Sequence, residues 1–294
     1  MNPKKADKLA TIIIYIMSFF VVIILGAFLL YILSKGINML KPSFIFGAPK
    51  TTSAGGGIGP QLFNSFYMLL VSLVITVPIG IGAGIYLAEY AKEGPVVRYI
   101  RLSLETMSSL PSIVIGMFGM LVFVNMAGWG YSIISGALSV SILNIPSMTR
   151  ISENAIKIAS SRVKEASLGL GASKWQTIAR LTLPTAMGEI LTGIILASGR
   201  IFGEAAAFLY TAGLSSGSLN FDTISLTGKV SAFSLFKPAE TLAVHIWKLN
   251  SEGVVPDAAA IANGTAAVLV IAVLLFNLIA RLIGNRLVNS YSGK

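Results

Sequence analysis

Cysteine is absent from this 294-residue chain, and His245 is its only histidine. Without cysteine there is no disulfide, no thiolate nucleophile, no iron–sulfur cluster and no Cys-ligated zinc. A single histidine excludes a multi-histidine metal site and leaves no Ser-His or Cys-His relay outside its own neighbourhood. Charge is scarce as well: Asp, Glu, Lys and Arg make up 12% of the residues, about half the share in an ordinary soluble domain. No G-x-x-x-x-G-K-[ST] run occurs, which removes a P-loop nucleotide site. Most enzymatic chemistry is excluded before any motif is weighed.

What the chain has instead is apolar length. Hydrophobic residues make up 54% of it, and the mean hydropathy is +0.80. A helix crossing a hydrocarbon core of about 30 Å needs roughly 20 apolar residues. The uncharged stretch Leu9 to Ser34 meets that length and lacks the small-residue cleavage site of a removed signal peptide. Leu62 to Ala88 supplies a second span. The uncharged run Thr106 to Thr149 would reach about 66 Å as one helix, so it is expected to cross twice. Its break is expected at Asn125 to Tyr131, where glycines permit a turn and Trp129 and Tyr131 suit a membrane interface. Pro184 to about Thr211 and Ala258 to Ala280 bring the total to six transmembrane helices. The expected fold class is all-α, a polytopic membrane protein with residues 1–294 forming a single integral-membrane domain.

The 22 Lys and Arg against 12 Asp and Glu give a net charge of +10, which in a soluble protein would point to nucleic acid. Here the basic residues serve as topology signals first. With the N-terminus inside, segments 1–10, 89–105, 150–183 and 281–294 hold 15 of them. The outer segments 34–61 and 212–257 hold 6, and Arg200 lies within a span. This bias places the N- and C-termini in the cytoplasm and makes the lipid bilayer, with no nucleic acid, the chain's surroundings.

The longest cytoplasmic connection, 150–183, is patterned. Val163, Ala166 and Leu170 stand at i, i+3 and i+7 and are expected to form one apolar helical face, with Lys164, Glu165 and Ser167 directed elsewhere. Gly171 suits a helix end. A short turn follows with Trp175, Ile178 and Leu181 apolar and Lys174, Gln176 and Arg180 polar, before Pro184 opens the next span. By pattern alone such an element either docks on a soluble partner or lies on the lipid headgroups.

Glu165-Ala166-Ser167, three residues, Gly171, nine residues, then Leu181-Thr182-Leu183-Pro184 resembles the "EAA" loop of bacterial ABC-importer permeases of the MetI-like group. That loop reads E-A-A, three residues, G, nine residues, I-x-L-P; Ser167 and Leu181 are the departures. Gly56–Pro60, Val77–Gly80, Ile85–Ala91, Ser109–Gly116 and Gly199–Gly213 are similar to phosphate permeases of the PstA type, with Ala205 and Ala207 where that family has Thr and Pro. The resemblance implies a non-catalytic permease subunit of an ATP-driven inorganic phosphate importer in the bacterial inner membrane. It further implies a PstC-like sister permease, a PstB-like ATPase dimer and an extracytoplasmic phosphate-binding protein as partners. Glu165, Ala166, Ser167, Gly171, Leu183 and Pro184 would couple to the ATPase, which would carry the ATP and Mg; this chain would bind no cofactor.

Glu189, Arg200 and Glu204 are the ionisable residues well inside an expected span. At 100° per residue, Arg200 to Glu204 is one turn and Glu189 to Arg200 is three turns plus about 20°, so all three are expected on one face. An unpaired Arg at mid-bilayer costs about 2.5–3.5 kcal/mol, so that face should meet protein or water. Two readings stand. Arg200 attracts an anion along a pathway with Glu204 holding or regulating it, or the pair forms a salt bridge that locks the spans.

Other motifs carry less. Gly80-Ile-Gly-Ala-Gly84 lies in an apolar span and reads as helix packing, not as a dinucleotide loop. Gly213-Leu-Ser-Ser-Gly217 matches a nucleophile elbow but lacks the strand-turn-helix context. His245 is expected to be an interfacial or docking residue, and Asn125 and Asn144 interhelix hydrogen-bonding or turn residues. The alternatives to a phosphate permease are a permease for another small oxyanion or solute, an ATPase-independent secondary transporter, and a membrane scaffold protein.

Overall fold

The computed structural model describes residues 3–50, 52–217, 219–228, 231–253 and 255–291. Lys229 and Lys294, counted above for orientation, lie outside the described residues, as do the side chains of Lys5 and Arg162. The described residues form helices joined by irregular loops, with no β-strand among them, as the apolar periodicity requires.

Helix α1 (Pro3–Gly36) presents its large apolar side chains from Leu9 to Tyr31 outward. It packs on α11 (Ala258–Tyr291) at its outer end, where a Cβ on Gly36 would stand 2.4 Å from the Asn263 carbonyl oxygen. The short α2 (Pro42–Ile45) leads to α3 (Gly59–Ile85), which ends in a π-helical turn, Tyr86–Tyr90. Next come α4 (Pro95–Ser109) and α5 (Ser112–Gly119), the latter continued by a π-helical stretch, Met120–Met126. Residues 89–105 are thus largely a helix, and α4 meets the Ser112–Met126 segment at 100°. The cause is local: Pro111 excludes the helical region for Leu110, which takes φ −68°, ψ 136°, so the crossing starts at Ser112 and not at Thr106. The expected break after Asn125 is present, and α6 (Ile133–Gly169) begins behind a Ser132 cap.

After α6 come α7 (Lys174–Thr177), a π-helical turn Ile178–Thr182, α8 (Leu183–Gly203), α9 (Ala206–Thr211) and α10 (Leu242–Glu252). Among the described residues four helices are long and apolar enough to cross a membrane, and five candidates result when the bent pair counts as one. The expected segment that does not qualify is the first half of α6. Its position explains its composition: α6 is the central helix, packed against α3, α5, α8 and α9. Protein covers most of this half, so Ser135, Ser139, Ser141, Asn144, Thr149 and Ser152 are buried there among Ile133, Ala137, Val140 and Leu143. Asn144 bonds the Val140 carbonyl of its own helix at 2.9 Å, not a neighbouring helix.

The small residues read from α3 do serve packing. A Cβ on Gly80 would stand 2.5 Å from Met148 Cγ, and one on Gly84 2.5 Å from Ser152 Cβ. Close approach of α3 and α6 therefore depends on these glycines.

Candidate functional site

The 150–183 loop, the candidate coupling element, is built as a continuation of α6 beyond the packed body. The helix runs to Gly169, Leu170 caps it, and Gly171 reverses the chain at φ +85°, a conformation that favours glycine. A capping box between Ser173 and Gln176 then starts α7. Ser167 is buried, and its Oγ lies 2.9 Å from Thr177 Oγ1, tying the two arms of the turn together. Leu183 packs on the inner core of Met148, Ala155, Ile156, Ala186 and Ile190, and Pro184 sits in the first turn of α8.

The expected apolar face of Val163, Ala166 and Leu170 is not a buried one. Ala166 is exposed and Leu170 is 90% exposed. The buried positions are Ile156, Ala159, Ser160 and Ser167, because the packing partners end at Ser167 while the helix continues. Glu165, Ala166, Leu168, Leu170, Trp175 and Leu181 are left as an exposed, partly apolar surface around Gly171.

Helix α8 shows two unlike faces. Ala186, Ile190, Gly193, Ala197, Ile201 and Phe202 are buried, whereas Thr185, Gly188, Glu189, Thr192, Leu196, Arg200 and Gly203 are exposed. On a spanning helix this exposed stripe is small and polar, in contrast to the large apolar surface of α1. Arg200 makes no hydrogen bond or ion pair with any described residue. Glu204 does not share the stripe. The helix stops at Gly203, Glu204 is extended at ψ 123°, and its buried carboxylate accepts a 3.0 Å hydrogen bond from the Ala207 amide, capping α9. The expected Arg200–Glu204 turn is therefore broken and no salt bridge forms. Ala207 is buried, and a Cβ on Gly116 of α5 would stand 2.9 Å from its Cα, so the approach of α5 to α9 depends on that glycine.

The 212–257 segment, with α3, holds a cluster that composition did not reveal. The buried Glu240 carboxylate accepts hydrogen bonds from Gln61 Nε2 at 2.9 Å and pairs with His245 Nδ1 at 3.0 Å, with Lys248 Nζ at 3.6 Å. Burial pushes this carboxyl up, but the bonds and charges of His245, Gln61 and Lys248 outweigh it and hold the group below the usual carboxylate range. His245 is thus a buried partner of Glu240 and not an interfacial residue, because Thr241 caps α10 and turns its first residues inward. The cluster borders a cleft of about 1170 Å³ whose walls include Phe46, Phe63, Phe66 and Leu214. Ser215, in the motif resembling a nucleophile elbow, is exposed and uses its carbonyl to accept from the Glu240 amide.

Lys237 is also buried, 5.4 Å above the Phe63 ring, and its Nζ has no hydrogen-bond partner. Burial lowers its pKa from 10.5 to about 8. A lysine whose folded pKa lies below its unfolded one weakens the fold while charged in both states. That penalty is complete below pH 8 and is relieved as pH rises towards 10.5. Lys237→Met is expected to stabilise the solubilised protein at pH 7 by on the order of 1 kcal/mol after solvent screening, with the gain gone above about pH 10. Thermal unfolding of both forms at the two pH values measures this; equal stability at pH 7 refutes it.

Residues 80–292 match the family described as binding-protein-dependent transport system inner membrane component. The chain is similar to the probable ABC transporter permease protein YqgI of Bacillus subtilis (strain 168), 51% identical over 284 residues that cover 97% of each chain. It is 34% identical over 257 residues to the phosphate transport system permease protein PstA of Yersinia pestis, covering 85% of this chain and 80% of that one. In fold it resembles a chain of a bacterial ABC transporter that imports the acidic polysaccharide alginate (TM-score 0.61, 14% identity, 96% of each chain). A chain of the inward-facing MetNI methionine ABC transporter gives a TM-score of 0.54 at 18% identity, over 80% of this chain and 94% of that one.

Proposed function

Because this chain belongs to the family of binding-protein-dependent transport system inner membrane components, we propose that it is the permease subunit of an ATP-driven inorganic phosphate importer. Membership makes it an ABC importer permease: a non-catalytic, multi-pass component of the bacterial inner membrane. In this reading it crosses six times with both termini cytoplasmic, and the first half of α6 is the crossing shielded from lipid.

The observation that carries the reading is the α8 stripe. A spanning helix that exposes Glu189, Thr192 and an unpaired Arg200 needs a neighbour other than lipid. A sister permease facing this stripe supplies it, and the seam between the two forms the path. Phosphate carries roughly −1 to −2 charges near pH 7, so fixed donors and a cation must replace its water. Arg200 meets that need, while Glu204 braces α9 behind it. On the cytoplasmic side, Glu165, Ala166, Ser167, Gly171, Leu183 and Pro184 form the element that the ATPase dimer moves. Closure of the dimer carries the loop with it, and the spans rock about the path. ATP and Mg belong to that dimer, and an extracytoplasmic phosphate-binding protein delivers the solute.

Phosphate is favoured among oxyanions by the similarity to PstA. The name of YqgI gives no substrate, so a permease for another small oxyanion is the second reading. The test is ATP-dependent phosphate uptake into vesicles holding this chain, its sister permease, the ATPase and the binding protein, with sulfate and molybdate as competitors. Uptake that survives an excess of both is expected. Preferential transport of another anion, or gradient-driven uptake by this chain without the ATPase, overturns the assignment.

A further inference from the structure

At the cytoplasmic end of α3, residues 89 and 90 are gripped from both sides of the Gly171 turn. The Glu89 side chain is 2% exposed, and its Oε2 accepts a 2.8 Å hydrogen bond from Lys164 Nζ in the overrun of α6. Lys174, the first residue of α7, donates its Nζ to the Glu89 carbonyl oxygen and stands 4.5 Å over the Tyr90 ring. Ser160 and Lys157 line the small cleft around the pair. The arm before Gly171 thus supplies one lysine, the arm after it supplies another, and both end on Glu89, one at its carboxylate and the other at its carbonyl.

This arrangement differs from the other charged contacts near the loop. Arg101 joins Glu153 at 2.8 Å and Glu93 at 3.0 Å, which ties α4 to α6 above the loop without touching α7. The two arms also meet each other directly, through the Ser167–Thr177 hydroxyl pair and the packing of α6 on α7 and the turn after it. A carboxylate with 2% exposure holds its charge at a large desolvation cost unless a cation stays beside it, so Lys164 is kept in place by more than surface pairing. The grip falls on a π-helical turn, Tyr86–Tyr90, whose wider hydrogen-bond spacing lets Glu89 turn inward while Ala91 leaves as extended chain.

We infer that Glu89 is a positioning residue that locks both arms of the coupling loop to the inner end of α3, so that the loop and this span move as one body. The transmitting role rests on the ATP-driven permease reading above; the lock itself does not. Displacing the loop by a few ångströms without α3 would break the Lys164 pair and the Lys174 contacts together. Without the lock, α7 would be held to α6 by the Ser167–Thr177 pair and the packing beside it, but not to α3, and more of the loop's motion would be spent locally.

The test uses the full complex with Glu89→Gln, which removes the charge at constant volume, and with Glu89→Gln combined with Lys174→Met. Hydrogen exchange of amides 170–177 is expected to speed up by about tenfold in the double variant. Phosphate moved per ATP hydrolysed is expected to fall roughly fivefold while all subunits still co-purify. Restoring the pair with exchanged charges, Glu89→Lys with Lys164→Glu, should recover part of the loss, which a mere packing role would not allow. Unchanged exchange in the double variant refutes the lock. Faster exchange with an unchanged transport-to-hydrolysis ratio refutes its transmitting role. Absence of ATP-driven uptake in the unaltered complex instead overturns the permease reading and the transmitting role with it, leaving the exchange result to decide the lock.

Discussion

Replacing Arg200 by alanine is expected to lower ATP-dependent phosphate uptake by about 100-fold or more, because removing the cation leaves a desolvated anion uncompensated by roughly 3 kcal/mol or more. The expectation follows from where the side chain stands. Arg200 is exposed on a spanning helix, touches no described partner, and shares a small, polar stripe with Glu189 and Thr192. Truncation therefore removes no internal ion pair, and the chain should still assemble with its partners. Arg200→Lys should recover part of the activity, since lysine keeps the charge but not the forked donors. Glu204→Gln should retain most of it, because the amide oxygen can still accept from Ala207 and cap α9. Initial uptake rates normalised to assembled complex decide the matter. Full transport by the alanine variant would remove Arg200 from the path.

The second large effect concerns the tip of the coupling loop. Leu170 is 90% exposed and Trp175 61% exposed, and they flank the Gly171 turn. Burying two such side chains in a partner's groove is worth roughly 2–3 kcal/mol each, so reversing their character should be felt strongly. Leu170→Asp with Trp175→Asp is expected to abolish co-purification of the ATPase dimer while the permease pair stays intact. The paired aspartates add two charges to a contact that would otherwise be dry. Retention of the ATPase at unaltered stoichiometry would show that it docks elsewhere, and vesicle partitioning of a 150–183 peptide would then test the headgroup reading of this loop.

Much of the architecture was legible because lipid imposes a coarse requirement: long uncharged stretches must be helices. Leu9 to Ser34 and Ala258 to Ala280 fall inside α1 and α11, and Leu62 to Ala88 falls inside α3 and the π-helical turn that continues it. The Asn125–Tyr131 break was legible from its glycines. The α4 helix was not, since its three surfaces differ: Val97 and Arg101 face α6, Val96, Tyr99 and Leu102 are exposed apolar side chains, and Arg98 is an exposed cation. Within the loop, periodicity located a helix and the residues that share a face, but not where the neighbouring body ends, which the structure places at Ser167. Glu240 and His245 were five residues apart in sequence, yet their third partner, Gln61, comes from α3.

Composition and spacing alone determined the membrane class, the all-helical fold, and the exclusion of cysteine and multi-histidine chemistry, and motif spacing marked the 150–183 loop as the candidate coupling element. These follow from one-dimensional facts: apolar length, basic bias and motif spacing. Tertiary structure decided which charges are partnered. Arg200 and Glu204 are four residues apart, but the helix ends between them, sending one to the exposed stripe and the other to a cap. Glu89 and Lys164, 75 residues apart, meet because α3 and α6 lie side by side. Pairing of charges depends on three-dimensional distance and burial, and a helical period measures neither once the helix stops.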